Sequence, residues 1–89
     1  MEIILLEQAL LDVEYWRRSG NKAIMNKITA LLQDIAQHPY VGIGKPEPLR
    51  YDLSGKWSRR INSEHRIIYS VHEELIEVYV LSMRYHYTK

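Results

Sequence analysis

The sequence predicts an α+β domain in which two helices lie on one face of a mostly antiparallel sheet. Three observations carry this prediction. Apolar residues recur at helical spacing between residues 6 and 35. From Trp57 onward they alternate at strand spacing. Short polar segments, Asn62-Ser63-Glu64 and His72-Glu73-Glu74, separate the strand-like runs as hairpins require.

Taken in order, Glu2-Ile3-Ile4-Leu5-Leu6 is an apolar run the length of one buried strand. Leu6, Leu10, Val13 and Trp16 then follow a helical stripe, with Glu7, Asp12, Glu14 and Arg17 between them. Gly20 and Asn21 end this helix and open the next. Ile24, Ile28, Leu31 and Ile35 form the second stripe, widened by Met25 and Leu32. His38-Pro39 stops it, because proline disfavours helical geometry in the residue before it. The two helices read as an αα-hairpin. Residues 40–56 are irregular, with room for a short strand around Leu49-Arg50-Tyr51. Trp57–Ile61, His65–Val71 and Leu75–Met83 read as strands. Parity sets Ser58 and Arg60 against Trp57, Arg59 and Ile61, and Arg66 and Ser70 against Ile67, Tyr69 and Val71. With the helices over Trp57 and Ile67, Arg60 and Arg66 both point to the open face. Near the C-terminus, Arg84 and His86 share one parity, and Tyr85 and Tyr87 share the other.

At 89 residues the whole chain, 1–89, forms one domain, burying roughly 60–70% of the surface its unfolded form exposes. A hydrophobic fraction of 46% excludes a disordered chain. No apolar run reaches the roughly 20 residues of a membrane span, and no signal peptide is expected at the N-terminus. The absence of cysteine removes disulfides, thiolate nucleophiles and cysteine-based zinc sites. A reducing, cytoplasmic compartment is the expectation. The net charge of +1 is unevenly spread. Residues 42–66 hold Lys45, Arg50, Lys56, Arg59, Arg60 and Arg66 against only Glu47, Asp52 and Glu64. This basic middle segment is a candidate phosphate-facing surface, although on charge alone a solvated face is the simpler reading.

Three groups of residues have chemical potential. In Lys45-Pro46-Glu47-Pro48-Leu49 the two prolines stiffen the backbone and hold Glu47 extended, as a positioned general base requires. From the residues alone, a rigid surface turn with a solvated Glu is the simpler reading. Arg59-Arg60 and Arg66 offer planar, permanently charged forks suited to phosphate oxygens, or to cross-strand pairing with Glu47, Asp52 or Glu64. Arg84-Tyr85-His86-Tyr87 combines a cation, two aromatic rings and an imidazole that titrates near neutral pH. The histidines at 38, 65, 72 and 86 lack compact metal-ligand spacing, so neither a metal site nor a cofactor is expected. Glu, Arg and His together have the parts for cutting RNA through its own 2′-hydroxyl: a base, cations for the charge building on phosphorus, and an acid for the departing 5′-oxygen.

Gly-Lys-Pro-Glu-Pro-Leu at 44–49, Leu-Ser-Gly-Lys-Trp-Ser-Arg-Arg-Ile at 53–61, Glu-His-Arg-Ile-Ile-Tyr at 64–69 and Arg-Tyr-His-Tyr at 84–87 are four ordered motifs. Together with Glu14-Tyr15-Trp16 they closely resemble the YoeB (Txe/YoeB) family, ribosome-dependent mRNA endonuclease toxins of toxin–antitoxin pairs within the RelE-like superfamily. The resemblance covers about Ile3 to Tyr87. It implies a single RelE-like β-α-α-β-β-β-β domain that cuts translated mRNA in the ribosomal A site without a metal and so inhibits translation. It also implies a YefM-type antitoxin covering the groove and a dimeric toxin within that complex. By position, Glu47 matches the general base and His86 the general acid. Arg66 matches the arginine that stabilises the transition state, and Arg60 a second phosphate-binding arginine. Tyr87 matches the tyrosine beside the histidine. Arg50 stands where the family has a lysine, which keeps the charge but widens the cation into a fork. Thr88 and Lys89 continue past the tyrosine at which close relatives often stop. A second function class is a non-catalytic module of the same fold that binds RNA, the ribosome or the antitoxin; a third is a ribonuclease acting without ribosomes.

Overall fold

The computed structural model describes residues 1–85. Strand β1 (Glu2–Leu5) leads into helices α1 (Glu7–Ser19) and α2 (Lys22–Gln37). Strands β2 (Glu47–Pro48), β3 (Trp57–Arg60), β4 (Arg66–His72) and β5 (Glu77–Ser82) follow. The sheet order is β1-β5-β4-β3-β2. β1 runs parallel to β5, and every other pairing is antiparallel. The α+β class and the element order are those expected from the sequence, with one parallel pair making the sheet mixed.

The helical hairpin forms where the local chemistry places it. Gly20 caps α1 with φ at 72°, a left-handed conformation that costs glycine little. Asn21 then caps α2, its side chain accepting the Ile24 N–H at 3.1 Å. The predicted α2 stripe of Ile24, Ile28, Leu31 and Ile35 is buried throughout. Burying Leu31 or Ile35 fully contributes about 1.5–3 kcal/mol each. These side chains meet Ile67, Tyr69, Val78 and Val80 from the sheet, so both helices share one face of it.

Two expectations need correction. In α1 the buried residues are Ala9, Asp12 and Trp16, whereas Leu6 and Leu10 of the expected stripe are exposed. Leu6 precedes the helix as its cap, and the small Ala9 lets α1 lie close to β5. The short strand expected at Leu49-Arg50-Tyr51 is instead Glu47–Pro48. The Leu49 N–H still donates to the Lys56 carbonyl at 2.9 Å, in register with β2 and β3, but Tyr51 then turns the chain away at φ 58° into a 3-10 turn. No helix among the described residues is long and apolar enough to cross a membrane.

Candidate active site

The open face of the sheet is built by register. Glu47 pairs with Ser58, Ser58 with Ile68, and Arg60 with Arg66. Directly paired residues share a face, and so do residues two apart on one strand. Glu47, Ser58, Ile68, Arg60 and Arg66 therefore lie on one face, opposite the helices. Ser58 and Ile68 are buried and form its floor, while Glu47 and Arg60 are exposed. The expected placement of Arg60 and Arg66 on the open side is what the structure shows.

Two cations directly across a strand pair repel each other, and no carboxylate among the described residues ion-pairs with either. The Arg66 Nη1 donates to the Asn62 carbonyl at 2.9 Å and to the His65 carbonyl at 3.2 Å, fixing the guanidinium over the β3–β4 turn. Burial, and then the charge of Arg60, lower the pKa of Arg66, with Glu47 pulling it back up. The arrangement favours an anion between the arginines, with one carboxylate at its edge.

Arg59 does not belong to this surface, which corrects its assignment as a phosphate ligand. It lies on the helix side and is fully buried. Its five N–H groups are all taken. Nε donates to the Tyr69 hydroxyl at 3.1 Å. Nη1 donates to the Asp34 carboxylate at 2.5 Å and to the Ile43 carbonyl at 3.0 Å. Nη2 donates to the carbonyls of His38 and Val41. The Tyr69 hydroxyl donates in turn to the Pro39 carbonyl at 2.7 Å. The hydrogen bond from Arg59, opposed by burial, holds the Asp34 carboxyl below its usual range. This hub folds the 38–43 loop onto β3. Gly42 is required there, because its φ is 130° and an added Cβ would collide with the Asp34 carboxylate. The loop continues to Gly44, whose carbonyl accepts the Arg60 N–H at 2.6 Å, and three residues later delivers Glu47.

Arg50 is exposed ahead of the 3-10 turn Tyr51–Leu53, and no hydrogen bond or ion pair among the described residues ties its side chain to the Glu47–Arg60–Arg66 group. Arg84 turns the other way, onto α1, with its guanidinium 3.5 Å from the centre of the Tyr15 ring. An open cleft of about 580 Å³ beside it is lined by Leu11, Glu14, Tyr15, Arg18, Ser19 and Arg84, away from the paired arginines. Arg84 and Tyr85 lie past the end of β5 at Ser82, with Tyr85 at φ 57°. His86 and Tyr87, the expected acid and its neighbouring tyrosine, lie outside the described residues, and so do the faces expected for them.

Sequence reasoning missed how the end of β5 is held. Asp12 is 3% exposed and accepts the Met83 N–H at 2.8 Å. The signal was present: an acid three residues after Ala9 and four before Trp16, on the inward side of α1.

A model of the YoeB-like toxins of bacterial type II toxin–antitoxin systems matches residues 5–87. Toxin YoeB of Escherichia coli K12 is 42% identical over 87 residues, covering 98% of this chain and 100% of the relative. Among solved structures, a YoeB/ParE toxin from Agrobacterium tumefaciens superposes with a TM-score of 0.91 at 37% identity, covering 98% of this chain and all of the other. The YoeB–YefM complex from Staphylococcus aureus matches with a TM-score of 0.84 at 40% identity, covering 98% of each chain. A YoeB dimer from the same organism matches with a TM-score of 0.85.

Proposed function

This chain belongs to the YoeB-like toxin family of bacterial type II toxin–antitoxin systems, and from that premise we propose that it is a ribosome-dependent endoribonuclease that cuts mRNA in the A site. The observation that carries the reading is the Arg60–Arg66 pair on the open face, with Glu47 on the adjoining strand.

The steps follow from the chemistry of these side chains. Glu47, presented on extended backbone ahead of Pro48, accepts the proton of a ribose 2′-hydroxyl. The 2′-oxygen attacks the adjacent phosphorus. Arg66 and Arg60 stabilise the negative charge that builds on the phosphoryl oxygens, which also relieves their mutual repulsion. The bond to the 5′-oxygen breaks, and His86 protonates that oxygen as it leaves. The products are a 2′,3′-cyclic phosphate and a free 5′-hydroxyl. The cycle needs no metal, because the arginines supply the positive charge. Tyr87 helps to position the substrate beside His86, and Arg50 adds cationic character to the approach.

The open sheet face is shallow, so the ribosome completes the enclosure that this short chain lacks. In the cell the toxin is cytoplasmic, forms a homodimer and is held inactive by a YefM-like antitoxin. The Staphylococcus aureus complex and dimer support this partnership.

The test is purified protein added to translating ribosomes, with mRNA ends mapped. New 5′ ends inside the A-site codon, lost in Glu47→Ala and in His86→Ala, are expected. Cutting by both variants at the parental rate would refute the mechanism. Blocked translation with intact mRNA would instead assign the chain as a non-catalytic binding module, and rapid cutting of naked RNA would remove the ribosome requirement.

A further inference from the structure

Past β5 the chain leaves the sheet, yet residues 83–85 are gripped by side chains from two distant elements. The Asp12 carboxylate of α1 accepts the Met83 N–H at 2.8 Å. One turn along α1, the Trp16 Nε1–H donates to the Met83 carbonyl at 2.9 Å. Both polar groups of that peptide position are therefore satisfied from α1, about 70 residues earlier in the chain. The Tyr85 N–H donates to His65 Nδ1 at 2.7 Å. The Tyr85 carbonyl accepts the N–H of Arg66 at 2.8 Å.

The clamp is itself braced. His65 is 7% exposed and stands edge-on to Trp16, with ring centres 4.8 Å apart. Asn62 Oδ1 accepts the N–H groups of Glu64 and His65, fixing the turn that carries the imidazole. The bond from Tyr85 needs the Nδ1 lone pair, so the ring proton sits on Nε2, which faces the Glu64 carboxylate at 3.6 Å. Tyr85 is held at φ 57°, a left-handed conformation that a tyrosine adopts only when its surroundings impose it. The next residue in the chain is His86.

We propose that Asp12, Trp16 and His65 are positioning residues for the cleavage reaction, fixing the backbone of residues 83–85 and so the point from which the chain presents His86 to the phosphate held by Arg66. Asp12 and Trp16 make no hydrogen bond to the Glu47–Arg60–Arg66 group, and His65 meets it only through its backbone carbonyl, which accepts from Arg66 Nη1 at 3.2 Å. The three side chains act through the peptide groups of Met83 and Tyr85. This rests on the functional reading above, in which His86 is the acid. Arg66 joins the two halves, since its side chain lies on the open face while its backbone N–H is bonded to Tyr85.

The experiment compares Asp12→Ala and His65→Leu, which remove the acceptors, with Asp12→Asn and His65→Asn, which keep an oxygen in their place. Single-turnover mRNA cleavage on programmed ribosomes gives the maximal rate and the toxin concentration at half-maximal rate. Hydrogen exchange of the Met83 and Tyr85 amides in the free protein reads the clamp directly. Asp12→Ala and His65→Leu are expected to lower the maximal rate roughly tenfold to a hundredfold, as a misplaced group does. The half-maximal concentration should move less than about threefold, because binding is untouched. Each amide should lose protection in the variant lacking its acceptor, and the asparagine variants should restore most of both. A folded His65→Leu that cuts within about twofold of a cutting parent overturns the proposal. So does a Tyr85 amide that exchanges equally fast in both. If the parent itself leaves mRNA whole, the functional reading falls and takes the positioning role with it, whereas protected amides would still establish the clamp.

Discussion

Replacing Arg59 by lysine keeps the charge and most of the length, yet should be among the most damaging changes outside the open face. The guanidinium satisfies five acceptors: the Tyr69 hydroxyl, the Asp34 carboxylate and the carbonyls of His38, Val41 and Ile43. An ammonium has three N–H groups, so at least two acceptors lose their donor. Each buried polar group left unpaired costs about 1–3 kcal/mol, for a total of about 2–6 kcal/mol. A domain of 89 residues has about 4–13 kcal/mol of stability in all. With about 4–8 °C of melting temperature per kcal/mol at this size, the variant should melt at least about 8 °C below the parent. Thermal and urea unfolding followed by circular dichroism measure this. A fall of less than about 4 °C would mean that the hub contributes little and that the reasoning is wrong.

Acid should expose the same hub. The pairing with Arg59 depresses the folded-state pKa of Asp34, so its contribution is present above the unfolded value, near pH 4, and is lost as pH falls through the folded value. The stability gap between parent and Asp34→Asn should therefore close on acidification below about pH 4; a gap that widens there would contradict the sign. Gly42→Ala should destabilise more than Gly20→Ala in urea melts. Both positions have positive φ, but only at Gly42 does the new Cβ meet a side chain, whereas Gly20 faces open space and should lose about 1–2 kcal/mol. Asn21→Ala should lose about 1 kcal/mol through the missing cap on Ile24, seen as a melting temperature lower by about 4–8 °C. Arg66→Gln should lower ribosomal mRNA cleavage by at least about a hundredfold while leaving the melting temperature nearly unchanged, and retention of cleavage would remove Arg66 from the mechanism.

The sequence revealed α2 nearly completely, because a helix buried on one side must repeat its apolar residues at that period, and Ile24, Ile28, Leu31 and Ile35 do. Strand parity likewise found the open face for Arg60 and Arg66, since alternation follows from the backbone alone. It also placed Arg59 beside Trp57 and Ile61, on the apolar side, and that conflict between charge and face was itself the mark of a buried ion pair. Reading it as a phosphate ligand set motif adjacency above parity. Asp12 went unnoticed for a related reason, as a stripe of apolar residues cannot reveal an acid whose partner is a peptide group about 70 residues away. The pairing of Glu47 with Ser58 was beyond reach as well. It depends on how the loop wraps Arg59 and on how Leu49 is bonded to Lys56, neither of which leaves a periodic trace.

The last strand among the described residues is inserted inside the sheet rather than added at its edge. β5 lies between β1 and β4, so β1 has no neighbour in the sheet until β5 has been synthesised. The contacts that close the sheet join residues 2–5 to residues 77–80, and such long-range closure is slow. A nascent chain that has not yet reached β5 therefore lacks both a finished sheet and the backbone partner of Arg66. Order of synthesis alone delays the finished sheet, and the backbone bond of Arg66 to Tyr85, until β5 and the residues just after it have been made. A message broken before β5 yields a product without the strand that joins β1 to β4.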